Sequence, residues 1–181
     1  ATLGGNVAHA LPAADGTIAL TALEAQAEVA GISGTRRMPF TSLFVGPGKS
    51  AIDKTKEIIV GFYLPLSTPH SASCFKRIMR PQGVALPILN CAVWLKRADD
   101  VVHDIHIAIG PGGTTPFRAT EAEAALRGQS LNDETFNRTL EVLLGQAKFR
   151  SSARRAGAEY RKHIVGGLFK DVLDTAWKRA E

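Results

Sequence analysis

"ILNCAVWLKRADDVVHDIHIAIG" (residues 88–110) decides the fold class. Residues 88–97 and 101–110 are two apolar stretches joined by the polar "ADD", the pattern of a β-hairpin. In the second stretch Ile105, Ile107 and Ile109 alternate with Asp104, His106 and Ala108, a period of two that predicts a strand with one buried face. On the N-terminal side, "SCFKRIM" (73–79) reads as a further strand. It leads into a turn at "RPQG" (80–83), where Pro81 suits position i+1 and Gly83 position i+3. On the C-terminal side the period changes to that of helices. Thr120 and Glu123 make a Thr-x-x-Glu capping box for a short helix ending at Gly128. Asn132 caps a second helix, with Phe136, Leu140, Leu143, Leu144 and Ala147 along one side. A third helix covers roughly 157–179, where Ile164, Leu168, Val172 and Ala176 run beside Val165, Phe169, Leu173 and Trp177. Three strands followed by three helices predict an α+β arrangement, with the helices on one face of an antiparallel sheet.

Upstream, "YLPLSTPHSAS" (63–73) marks a boundary, with two prolines and four serine or threonine residues after the apolar run "EIIVGFYL". The expected organisation is a first unit over 1–68 and a second over 69–181. In the first, "TIALTAL" reads as a short helix or strand, "AQAEVAGI" as a strand and "EIIVGFYL" as another, which predicts a small mixed α/β unit.

Bulk properties exclude several classes. The 181 residues are 45% hydrophobic, enough for a buried core, and no apolar run reaches the length of a membrane span. No charged segment followed by an apolar stretch opens the chain, so a cytoplasmic location is expected. Two cysteines, Cys74 and Cys91, make neither a disulfide framework nor a metal quartet and read as buried free thiols. The net charge of +5 lies wholly in 71–181, with six cations (Lys148, Arg150, Arg154, Arg155, Arg161 and Lys162) around a lone Glu159. Phe149 and Tyr160 are the only aromatics among them and no reader motif is present, which argues against nucleic acid; a solvated helix entrance or a docking face for an acidic partner remains.

Three glycine-rich stretches and five histidines are the candidates for chemistry. "GPGKS" (46–50) ends like a phosphate-binding P-loop, but the first glycine of that motif would fall on Leu43, so it is a structural loop. "GPGGTTP" (110–116) precedes a helix, has no lysine and reads as a connection. "TLGGN" (2–6) has two readings: an ordinary turn, or a backbone that aims amides at a pyrophosphate, with Asn6 as a side-chain donor and Asp15 as an acceptor. His9, His70, His103, His106 and His163 lack metal-ligand spacing, and no metal site is expected. Lys76, in an apolar strand just before a turn, either places its ammonium beside an anionic or carbonyl-bearing ligand or snorkels to water.

Taken in order, these pieces resemble a known family. "TLGGNVAHALPAAD" (2–15) is similar to the second flavin-binding segment of the FAD-binding (PCMH-type) medium subunit of molybdenum hydroxylases, the xanthine dehydrogenase, carbon monoxide dehydrogenase and aldehyde oxidase relatives. "LFVGPGKSAI", "EIIVGFYLP", "SCFKRIMRPQGVALPILNCAVWL", "IAIGPGGTTPFRATEAEAAL" and "AGAEYRKHIVGGL" follow in the family's sequence. The resemblance implies that Thr2, Leu3, Gly4, Gly5 and Asn6 lie against the FAD pyrophosphate and ribityl chain. It further implies that Asp15 closes the motif, that Ile59 packs on the flavin, that Lys76 reaches it, and that the loop "RIMRPQGVALP" passes near the isoalloxazine edge. Leu11 departs from the family's usual serine.

The implied function is an electron-transfer flavoprotein subunit, an oxidoreductase component. Its molybdenum cofactor would sit on a large molybdopterin-binding partner and its 2Fe-2S clusters on a small iron–sulfur partner, with electrons leaving FAD for NAD+ or another acceptor. The family's earlier glycine-rich segment, of the A-G-G-[TS] kind, is not in this sequence, so a fragment or a natural split subunit completed by a missing N-terminal FAD-binding half is expected. The alternatives are a subunit-docking module with an incomplete FAD site, and an unrelated flavoenzyme of the enolpyruvyl reductase type.

Overall fold

The computed structural model describes residues 2–80, 85–153 and 155–181. The predicted turn at 80–83 has its central and last residues outside that set. Elements run α1 (Leu3–Ala8), α2 (Asp15–Ala22), β1 (Gln26–Gly31), β2 (Gly34–Pro39), β3 (Phe44–Gly46), β4 (Lys49–Ser50), β5 (Glu57–Tyr63), β6 (Ser71–Met79), β7 (Pro87–Ala98), β8 (Val101–Gly110), β9 (Phe117–Arg118), α3 (Thr120–Leu126), α4 (Asp133–Gln146) and α5 (Ala158–Arg179).

The hairpin that decides the fold class forms as its alternation predicts. β7 and β8 pair antiparallel from Asn90↔Gly110 to Ala98↔Val101, around a two-residue loop in which Asp99 takes a left-handed φ of 51°. β6 adds on the other side of β7, with Cys74 opposite Val93. The sheet has one strand more than predicted: the two-residue β9 pairs with the end of β8, giving the order β6-β7-β8-β9. Two residues between Pro116 and Ala119 are too short to register as a period, which is why the sequence reads as three strands.

The buried face of this sheet carries Cys74, Leu89, Cys91, Val93, Leu95, Ile105, Ile107 and Ile109, packed against Leu126 of α3, Phe136 and Leu143 of α4 and the Val165, Phe169, Val172 and Leu173 ridge of α5. Phe136 and Phe169 stack with ring centroids 5.5 Å apart, joining α4 to α5. The opposite face is not open to solvent, contrary to the one-face expectation. α2 lies across it, burying Ile18 and Ala22 against Ala92 and Ala108. His106, on that face, is buried with Nδ1 3.0 Å from the Ala22 carbonyl, a structural role. Amphipathic alternation with small and polar residues looks solvent-facing, but alanines at Ala92 and Ala108 leave the room a helix needs.

One cap is as expected and one is not. Asn132 Oδ1 accepts the Thr135 N–H at 3.0 Å, and Thr135 Oγ1 accepts the Asn132 N–H, a complete capping box for α4. α3 begins without a side-chain cap on Ala119. Glu123, predicted to close a capping box, is 2% exposed and turned into the sheet. There it accepts from the Ile107 N–H at 2.8 Å and from Arg118 Nε at 2.6 Å and Nη2 at 3.0 Å. A buried main-chain donor and a guanidinium outcompete an exposed helix end.

The first unit is mixed α/β with antiparallel pairing in the order β2-β1-β5, the β3–β4 hairpin, and a core of Val7, Leu20, Ala27, Val29, Phe40, Leu43 and Phe44. "GPGKS" forms the β3–β4 turn, with Gly48 at φ 70° and its N–H bonded to the Ala10 carbonyl at 2.9 Å. A structural loop is what the failed P-loop spacing predicts. Both cysteines are buried and free, no metal-binding cluster occurs among the described residues, and no helix is long and apolar enough to cross a membrane.

Candidate functional site

The paired glycines of "TLGGN" do not make a turn. Gly4 and Gly5 lie inside α1, and neither takes a positive φ. Thr2 is the N-cap: its Oγ1 accepts the Gly5 N–H at 3.1 Å, and its carbonyl accepts the Asn6 N–H at 3.0 Å. The glycines serve by the absence of side chains. A Cβ on Gly4 would meet no heavy atom within 4 Å, so this turn of the helix presents bare backbone to open space.

Asn6 fixes α1 on α2. Its Oδ1 accepts the Gly16 N–H at 3.0 Å, leaving the Nδ2 donors without a partner among the described residues. Gly16 eases this approach, since a Cβ there would displace the exposed end of the Leu3 side chain and lie 3.0 Å from Asn6 Oδ1. Asp15, in the first turn of α2, is held from the second sheet. Arg77 of β6 donates to its Oδ2, and Asn90 of β7 donates to its Oδ1 at 2.9 Å and to the Ala13 carbonyl at 3.1 Å.

These groups border one cleft of about 440 Å³. Thr2, Gly5, Asn6, His9 and Asp15 line one side; Arg77, Leu86, Pro87 and Arg155 line the other. The cleft therefore lies between α1 with its following loop and the start of β7. It offers amide and guanidinium donors next to an apolar wall, the donor set a pyrophosphate and an aromatic ring system require.

Four of the predicted residues, Thr2, Gly5, Asn6 and Asp15, are brought together here. Leu3, 47% exposed, and Gly4 sit on the same short helix. Two stand elsewhere. Ile59 of β5 packs on the first unit's core, opposite Val29 of β1. Lys76 points to the α5 side of β6, where Nζ meets Asp171 Oδ1 at 2.6 Å. Its neighbour Arg77, which the sequence reading passed over, takes the cleft side. The signal was available: Cys74, Lys76 and Ile78 share a parity with the buried core, so Phe75 and Arg77 must face the other way.

Comparison with known proteins matches both halves. Residues 1–67 match the FAD binding domain in molybdopterin dehydrogenase, and residues 73–176 match the CO dehydrogenase flavoprotein C-terminal domain. The chain belongs to the CO dehydrogenase flavoprotein family. The nicotinate dehydrogenase FAD-subunit of Eubacterium barkeri is 30% identical over 96% of this chain and 60% of its own length. The nicotine 6-hydroxylase medium subunit of Paenarthrobacter nicotinovorans is 31% identical over 98% of this chain and 61% of its own. The carbon monoxide dehydrogenase of Hydrogenophaga pseudoflava superposes with a TM-score of 0.90 at 25% identity, covering 99% of this chain and 61% of that one. The chain thus spans about 60% of the length of the relatives it matches. FAD is the cofactor of the family to which residues 1–67 belong, and the relatives are components of oxidoreductases.

Proposed function

We propose that this chain holds FAD in the medium subunit of a molybdenum hydroxylase-type complex, relaying electrons from a small iron–sulfur partner to NAD+ or another acceptor. The substrate would be transformed on a large molybdopterin-binding partner. The observation that carries the reading is the cleft itself, which gathers Thr2, Gly5, Asn6 and Asp15 and adds Arg77. Names of the relatives support the assembly: they are called FAD-subunit, medium subunit and medium chain.

The donors fit the cofactor. The free Nδ2 of Asn6, the bare α1 backbone at Gly4 and the guanidinium of Arg77 would hold the phosphates and the polyol chain, while Leu86 and Pro87 would wall the ring and keep water from it. FAD, when bound, would collect single electrons from the iron–sulfur partner and pass them on as a pair to an acceptor such as NAD+. Asp15, locked by Asn90 and Arg77, orients Arg77 and offsets its charge. We propose Thr2, Leu3, Gly4, Gly5, Asn6 and Asp15 with Arg77 as the contacts; Ile59 and Lys76 lie outside this cleft, one on the first unit's core and the other paired with Asp171.

The test is FAD titration followed by flavin fluorescence, with the desalted protein's visible spectrum as the stoichiometry check. Binding that weakens about tenfold in Arg77→Gln is expected for loss of one charge-assisted hydrogen bond. A folded chain that takes up no flavin, alone or together with the N-terminal FAD-binding half of a relative's medium subunit, would overturn the reading and leave the subunit-docking module.

A further inference from the structure

A second cavity, of about 530 Å³, adjoins the first and shares Leu11, Leu86 and Arg155 with it. Four guanidinium groups line it, those of Arg80, Arg150, Arg155 and Arg161, and no carboxylate does. Six arginines elsewhere, Arg36, Arg37, Arg77, Arg97, Arg118 and Arg127, each have an acidic partner within 4.0 Å, while Arg138 and Arg179 rest singly on main-chain carbonyls. Among the described residues none of the four in the cavity has one.

Arg161 is the decisive member. It projects from the first turn of α5 and is 2% exposed, although a buried cation without a counter-charge is among the costlier things a fold can contain. Two donors are used locally, Nε on the Ile88 carbonyl at 2.9 Å and Nη1 on the Arg150 carbonyl. Nη2 has no acceptor among the described residues. Burial, and next the charge of Arg155, push its pKa below the ordinary arginine value, so the cluster repels itself as it stands. Arg80 is steered to the same place by its Nη2 bond to the Arg155 carbonyl at 3.1 Å. Ser151 adds a hydroxyl whose oxygen already accepts the Ala158 N–H at 3.0 Å, leaving its proton to donate.

We propose that this cavity binds a phosphoryl group, with Arg161 at its base and Arg80, Arg150 and Arg155 closing over the oxygens. A phosphate carries the multiple charge that several guanidiniums require, and its oxygens match their fork. Pro47, Leu86 and Ile88 supply an apolar wall for the organic part of a phosphate ester. Because the flavin's phosphates are placed on Asn6, Gly4 and Arg77 in the adjoining cleft, the phosphoryl group here belongs to a separate phosphorylated small molecule.

Inorganic pyrophosphate is the probe, titrated calorimetrically into this chain at near-physiological chloride. Saturable binding is expected, at least about tenfold weaker in the Arg80→Gln/Arg150→Gln double variant, whose exposed positions line this cavity and not the adjoining cleft, with circular dichroism confirming its fold. FAD affinity unchanged at saturating pyrophosphate is expected for a separate ligand; a fall in FAD affinity would overturn the proposal, since pyrophosphate would then occupy the flavin's own phosphate positions. Absence of pyrophosphate binding, or equal binding by the double variant, overturns the proposal. Arginine-dependent capture of a poly-glutamate peptide in place of pyrophosphate overturns it too, in favour of an acidic protein partner.

Discussion

Asn90 of β7 donates to Asp15 of α2 at 2.9 Å, across 75 positions of sequence. The same amide reaches the Ala13 carbonyl at 3.1 Å, so one wholly buried side chain ties the loop after α1 and the start of α2 to the central strand of the second sheet. The cleft keeps its shape through this residue. Asn90→Ala leaves a main-chain carbonyl and a carboxylate short of donors. A loss of about 2 kcal/mol is expected, which for a chain of this size is a fall in Tm of about 4–8 °C. Calorimetry of the variant checks it, with flavin affinity falling alongside.

Gly110 ends β8 where three elements meet. A Cβ there would lie 2.7 Å from Ile18 Cγ1 and 2.8 Å from the Pro12 carbonyl oxygen, and would run into Asn90 Oδ1. Two of these neighbours are buried and one is backbone, so none can yield cheaply. Gly110→Ala is expected to cost about 3 kcal/mol, read as a lower urea midpoint, whereas Gly145→Ala, which meets nothing within 4 Å on α4, is expected to be neutral or stabilising.

The Glu123–Arg118 pair is a second anchor. Glu123 is 2% exposed and holds Arg118 through both oxygens, while Arg118 Nη1 reaches Glu24 beyond the end of α2 at 2.5 Å. Glu123→Ala strands the guanidinium and the Ile107 N–H. The expected cost is about 3 kcal/mol. Glu24→Ala, removing the more exposed partner, should cost under about 1 kcal/mol. Urea unfolding of both variants tests the ranking.

Acid is expected to weaken this region. The Glu24 pKa is held below its ordinary 4.5 by the hydrogen bond from Arg118, against an opposing contribution from burial. Burial raises the Asp104 pKa, but hydrogen bonds from Arg127 and the Ile105 N–H outweigh it and leave the value below 3.8. Carboxylates depressed in the folded state stabilise it above their unfolded pKa, and that contribution fades as pH falls through the folded value. The urea midpoint is expected to decline as pH drops below about 4.5, less steeply in Glu24→Gln.

Cys91 is fully buried, and desolvation followed by the neighbouring Cys74 pushes its thiol pKa up. Cys74 is 5% exposed. Iodoacetamide is expected to leave the native chain unmodified near neutral pH and to label both thiols in denaturant. Mass spectrometry distinguishes the two states, and rapid labelling of the native chain would contradict the packing of β6 and β7.

Elements with long periods and chemical endpoints were legible from local residue pattern. The 88–110 hairpin, the Asn132 cap and the α5 ridge are local patterns, set by side chains within a few positions of one another. The ordered motifs likewise identified the family and placed Thr2, Gly5, Asn6 and Asp15 in one segment. Tertiary structure alone decided what those residues face. Whether Glu123 caps a helix or binds Arg118, whether Ala92 and Ala108 face solvent or α2, and whether Lys76 or Arg77 enters the cleft depend on partners far apart in the chain. The two-residue β9 also exists only because β8 offers it an edge. Local periodicity fixes a side chain's direction relative to its neighbours. The free energy that chooses its partner comes from burial and hydrogen bonding between segments brought together by the fold.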